Sequence, residues 1–469
     1  MSVTGDERVT RPQDLVERAL AVSKADACVA IVDESSNVNL RWANNTLTTN
    51  GVTRSRQLTV IATVGQARGT AAGVVSRSAV SAGSVEDVVR AAEEVARGSP
   101  SAEDARPLVN GEVPAARWEE LPAETSVEVF SAFVEGLGLA FDRARASDRL
   151  LFGYAEHDLQ STYLGSSTGL RLRHDQPTGH VEMNGKSRDY SRSAWVGMAT
   201  VDFSDVDAAT LDGQLSQRLG WAQRRLDLGA GHYTTLLPPS AVADLMIYLY
   251  WSAGARDAHE GRTVFSRPGG GTRVGDRLTE VPVTLKSDPT APGLQCAPFV
   301  IARGSSATSS VFDNGLPLQP TGWVTNGELR ALVQTRHSSQ LTGLPVTPEI
   351  DNLIMHGPDG GPSQEEMIRN TSNGLLLTCL WYIREVDPQT LLLTGLTRDG
   401  VYLVDDGEVI GAVNNFRFNE SPVDLLRRIS EVGATRPTFP REWGDYFTRV
   451  ATPTLRVEDF NMSSVSQAS

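Results

Sequence analysis

Four Asn-Gly or Asp-Gly pairs, at 314–315, 326–327, 399–400 and 406–407, lie between short segments that alternate apolar and polar residues. Such pairs take the left-handed backbone of a tight hairpin turn without strain, so the pattern commits much of the second half of the chain to antiparallel strands. Asp387-Pro388 adds a turn between 375–385 and 391–397. The expectation is a mostly antiparallel β-meander, large enough to curl into a barrel-like sheet. One helix, Ala241–Ala253, interrupts it, with Val242, Leu245, Met246 and Leu249 at helical spacing. Met246-Ile247-Tyr248-Leu249-Tyr250-Trp251 makes this helix apolar nearly all round. Both its own core and a partner are therefore expected to cover it.

Helix and strand signals alternate before this region. Asp14–Ala25 reads as a helix, and Ala27–Val32 and Leu58–Val64 read as strands. Ser84 with Asp87 predicts a capped helix over Val85–Arg97, and Thr125 with Glu128 predicts another running through Ala144. Strands are expected at 150–158, 160–163, 170–174 and 180–186, and a helix over Ala208–Leu226. Gly98–Pro122, rich in Pro, Ser, Ala and acidic residues, reads as a linker. With 469 residues the chain exceeds what one hydrophobic core supports. The predicted organisation is α+β: an N-terminal α/β domain (1–110), a middle α+β domain (120–228) and a β-rich C-terminal domain (232–469).

Charge narrows the function classes. With 43 Lys+Arg against 57 Asp+Glu the net charge is −14, which argues against a nucleic-acid footprint. The longest uncharged apolar stretch, Leu245–Ala255, is too short to cross a membrane, and Met1–Gln13 shows no apolar signal core. Three scattered cysteines with no CxxC suggest a reducing, cytoplasmic setting.

Two motifs suggest chemistry and fail on context. Gly165-Ser166-Ser167-Thr168-Gly169 matches a nucleophile elbow, yet Leu170-Arg171-Leu172-Arg173 continues as a strand where an elbow needs a helix. Gly269-Gly270-Gly271 lacks the Lys-Ser/Thr and following helix of a phosphate loop. The seven histidines never recur at i, i+4, and Asp257, His259 and Glu260 read as an exposed loop.

Longer runs are more specific. Gly374–Thr378, Val386-Asp387-Pro388-Gln389-Thr390, Thr394–Gly400, Gly411–Arg417 and Ser421–Val432 resemble the C-terminal domain of the TldD/PmbA family, and Leu236–Ala241 resembles the lead-in to its central helix. The resemblance spans nearly the whole chain and is weakest before residue 120. It implies a cytoplasmic peptidase complex that cleaves short or unfolded peptides. In its TldD-type subunit, the central helix carries an H-E-x-x-x-H zinc motif and a downstream cysteine completes the site. Here the helix, Ala241–Ser252, has no His and no Glu, and Phe460–Val465 has no Cys. The resemblance therefore implies the TldE (PmbA) type. This is a subunit with no metal or cofactor of its own, paired with a zinc-bearing TldD-like partner; a homodimer in that partner's absence stays open. A self-sufficient hydrolase with an unrecognised site and a stand-alone peptide-binding module are the alternatives.

No catalytic residue is assigned. The candidate peptide-contacting side chains are His337, Trp381, Tyr382, Arg384, Arg398 and Arg417, aromatic rings beside arginines in a strand-rich region. Strand alternation would place Trp381 and Tyr382 on opposite faces.

Overall fold

A computed structural model describes residues 10–111, 115, 117–358 and 360–466. Its first six strands form one antiparallel sheet: β1 (Ala27–Ala43), β2 (Thr46–Gln66), β3 (Gly69–Ser78), β4 (Arg149–Ser166), β5 (Arg171–Ser187) and β6 (Ser193–Thr200), in the order β3-β2-β1-β4-β5-β6. β1 pairs with β4 from Val29↔Ser166 to Trp42↔Gly153, so the sheet is continuous across the segment read as a linker. β4 and β5 are each one long strand where the sequence suggests two short ones.

Alternation along β1 explains the layering. Cys28, Ala30, Val32, Val38 and Leu40 point to one face, where four helices pack. These are α1 (Pro12–Val22) and α2 (Val85–Gly98) at one end, and α3 (Ser131–Ala146) and α4 (Ala208–Trp221) at the other. Val29 and Ile31 point the opposite way, against Leu164, Leu170, Val311 and Phe312, which ties this sheet to the C-terminal part. α2 lies so close to β3 that a Cβ on Gly73 would stand 2.2 Å from the Ala92 carbonyl oxygen.

Both predicted caps shift. Ser84 has no capping bond to α2, and the reciprocal pair is Ser81 with Ser84 on the preceding 3-10 turn. Ser126 caps the turn before α3, because the Thr125 hydroxyl is bonded to His157 Nδ1 at 2.7 Å.

The C-terminal part holds a ten-stranded and a six-stranded sheet around α5 (Pro239–Trp251). The larger sheet runs from Leu380–Asp387 at one end, through Leu392–Thr397, Phe416–Glu420, Leu455–Val465 and Gly231–Leu237, to Arg225–Leu226 at the other. It does not close on itself, so the α+β, mostly antiparallel expectation holds while the barrel is an open sheet. α5 is buried from Ala241 through Ile247 and again at Leu249 and Tyr250, mostly within this core. Asn326-Gly327 and Asp406-Gly407 make two-residue hairpins, with φ of 49° and 82°, and 51° and 82°. Asp399-Gly400 turns without making a hairpin, since its flanking strands pair elsewhere. Asn314 instead pins a loop through its side chain, which bonds the Ala302 backbone at both N and O. No helix among the described residues is long and apolar enough to cross a membrane.

Candidate functional site

α5 begins at Pro238-Pro239, where proline fits because the first turn has no amide partner to lose. Its exposed side is short: Tyr248 and Trp251, three residues apart, emerge from the core on one face. Trp443, from the segment after Phe439, packs on both, with ring centroids 5.6 Å from Tyr248 and 5.1 Å from Trp251. The Trp443 indole N–H donates to the Asp244 carbonyl oxygen at 2.9 Å, fixing the ring against the helix.

The opposite wall is the end strand of the ten-stranded sheet, Leu380–Asp387. A β-bulge sits between Trp381 and Arg384, and Tyr382 has φ of 51°. The carboxylate of Glu442 holds it in place. It accepts the Tyr382 N–H at 2.9 Å, the Ile383 N–H at 3.0 Å and an Arg384 N–H at 3.0 Å. The bulge breaks strand alternation, so Trp381 and Tyr382 line the same cleft with centroids 5.6 Å apart. Opposite faces, the sequence expectation, would have required an unbroken ladder.

The cleft has a volume of about 660 Å³ and is lined by Trp251, Trp381, Tyr382, Arg384, Trp443 and Tyr446, with Glu442 at its floor. It adjoins a second open space of about 730 Å³ beyond Tyr248 and Trp251, bordered by Asp257, Arg262 and Glu385. Tyr382 is 53% and Tyr446 75% exposed, unusual for rings that have a core to enter.

Behind Trp381 lies a polar cluster. The Arg441 guanidinium is stacked between Trp381 and Trp195, 4.8 and 5.0 Å from the ring centroids, and meets Cys379 Sγ at 2.6 Å and Asp399 at 2.9 Å. Burial pushes the Cys379 thiol up to about 12, so it is a neutral thiol at pH 7. Asp244, on α5, is buried. Its Oδ1 accepts the Glu442 N–H at 3.0 Å and its Oδ2 has no partner. Burial holds this carboxyl well above the usual range.

Three of the six candidates, Trp381, Tyr382 and Arg384, thus meet in the cleft. Arg417 is two strands away in register, through Trp381↔Leu396 and Leu396↔Arg417, and bonds Thr394 at 3.3 Å. Arg398 lies 3.9 Å from Asp399, beside the Arg441 cluster. His337 does not belong with them. It lies on the short helix Arg336–Thr342, with Nδ1 3.3 Å from Arg106 of the N-terminal part. The 441–446 segment supplies Glu442, Trp443 and Tyr446, and no motif marks it; its density of aromatic residues in a stretch without strand alternation is the only signal.

Zinc requires His, Cys or carboxylate donors converging on one point. α5 offers Asp244, Tyr248 and Trp251, and among the described residues no group of three or more His, Cys, Asp or Glu side chains could hold a metal ion. The residues present do not fit a zinc site. Gly165–Gly169 forms the β4–β5 hairpin, where Ser167 Oγ accepts the Cys28 N–H at 3.0 Å. Its role there is structural.

Residues 230–464 match the PmbA/TldA metallopeptidase C-terminal domain. The chain belongs to the TldD/PmbA family. The fold is shared along the whole length with TldE from Thermococcus kodakarensis, at a TM-score of 0.77 and 16% identity, covering 96% of this chain and 99% of that one. A proposed modulator of a DNA gyrase from Thermotoga maritima gives 0.74 and 16%, with 96% and 99% covered. Another, from Bacteroides thetaiotaomicron, gives 0.76 and 12%, with 97% and 98% covered. At these identities the likeness concerns the fold. No curated protein sequence matches the chain.

Proposed function

We propose that this TldD/PmbA family member is a TldE-type subunit, without a metal of its own, that holds peptide for a zinc-bearing TldD-like partner in a cytoplasmic metallopeptidase complex. The observation that carries this reading is the open aromatic cleft on α5, where Tyr248 and Trp251 occupy the exposed face of the family's central helix. Rings stack on peptide planes and side chains of many kinds, which gives affinity with little sequence demand. Arg384, in the same cleft, offers a guanidinium group to peptide carboxylates.

Stacking is favoured over strand addition by the edge itself. On strand Leu380–Asp387 the N–H groups of Tyr382 and Ile383 are taken by Glu442, and the Tyr248 hydroxyl meets the Glu385 backbone. A peptide could not use them without displacing both.

The test is a titration of a short unstructured peptide followed by tryptophan fluorescence, since Trp251, Trp381 and Trp443 line the cleft. Saturable quenching that weakens in Tyr446→Ala supports the reading. No binding by wild type, with or without a TldD-like partner, removes it.

A further inference from the structure

At the opposite end of α5 from the aromatic cleft lies a polar cavity of about 440 Å³, between α4, the first residues of α5 and strand Arg436–Thr438. α4 turns a polar face to it: Gln214, Gln217 and Arg218 follow helical spacing, while Leu211, Leu215 and Leu219 enter the core. Arg218 lines this space and is half-buried. One of its N–H groups donates to the Trp195 carbonyl oxygen, and no carboxylate among the described residues pairs with it. Its nearest titratable neighbours, Tyr402 and Cys379, are both neutral at pH 7, because burial pushes the thiol up to about 12 and the phenol higher. A half-buried guanidinium with no carboxylate partner keeps N–H groups available for charge-assisted hydrogen bonds to an anion. Arg436 lines the same cavity and forms no ion pair with any described residue. Glu365 is the sole carboxylate among the described residues lining it. Pro238, Pro239 and Ser240 also border it, and α5 starts there with no side-chain cap, so its positive dipole end is at the cavity. In a chain of net charge −14, two guanidinium groups without an ion pair among the described residues, against one carboxylate, together with an uncapped helix start on one cavity, are the reverse of the general balance.

We propose that this cavity binds a small oxyanion, a carboxylate or a phosphate, held by the Arg218 fork and by Arg436 at the start of α5. The site is separate from the peptide cleft, and it stands or falls independently of the peptide reading.

The experiment measures thermal stability of the full chain with increasing inorganic phosphate or succinate at constant ionic strength. Ligand that binds only the folded state raises Tm in a saturable way. Arg218→Lys keeps the charge and loses the planar fork, and should weaken binding about tenfold. Arg436→Gln, at an exposed position, should fold normally and weaken it about fivefold. A response to phosphate alone assigns a phosphorylated ligand, and a response to succinate alone assigns a carboxylate. No Tm shift with either anion at about 10 mM, or a shift unchanged in both variants, overturns the proposal.

Discussion

Asp244 is the residue with most to lose from its position. Its carboxyl is raised above its unfolded value by burial, so between the two values the folded chain binds more protons than the unfolded one. Stability from this group therefore falls as pH rises above the ordinary carboxylate range. Asp244→Asn keeps the acceptor for the Glu442 N–H and removes the ionisation. Its Tm should exceed that of wild type at pH 8, with the difference shrinking toward pH 5; an equal gap at both would locate the pH effect elsewhere. Ser167→Ala should lower stability by about 1 kcal/mol, through the lost bond to Cys28, and leave peptide binding unchanged. Denaturant titration beside the fluorescence assay reads both. Tyr446→Ala, at an exposed ring, should weaken peptide binding about three- to tenfold with no change in Tm.

The bulged end strand is the element on which the cleft depends, and Glu442 holds its shape. Glu442→Ala leaves two backbone N–H groups and Arg384 without their acceptor. A loss of about 2–4 kcal/mol is expected, with weaker peptide binding, measured by denaturant unfolding. Gly73→Ala should destabilise by a comparable amount by driving α2 off β3. These elements also mark what the sequence could and could not say. Asn326-Gly327 and Asp406-Gly407 were legible as hairpins because their turn conformation is local chemistry. Asp399-Gly400 carries the same signal, but the neighbours of its flanking strands are chosen by sheet order, which no turn residue encodes. The bulge at Tyr382 was illegible for the same reason: its determinant, Glu442, lies 60 residues away. Trp381, Tyr382 and Arg384 share one cleft because they are close in sequence and the bulge turns them to one side. His337 was grouped with them on residue type alone, and its partner Arg106 comes from the N-terminal part.

At the scale of the molecule, α5 links two different environments, an aromatic cleft at its C-terminal end and a cationic cavity at its N-terminal end. The sequence expectation that a partner covers part of this helix reduces to Tyr248 and Trp251, since the rest lies in the chain's own core. Those rings, with Trp443, Tyr382 and Tyr446, are the surface we propose to face the partner's zinc helix across bound peptide. The central claim is that catalysis needs both chains and that the metal belongs to the partner. The most direct measurement is peptide hydrolysis by this chain, by a TldD-like protein carrying the zinc motif, and by their mixture, with zinc determined in each purified component. We predict cleavage only in the mixture, a co-eluting 1:1 species, and stoichiometric zinc in the partner alone. Cleavage by this chain alone, or one tightly bound zinc per copy of it, would contradict the account.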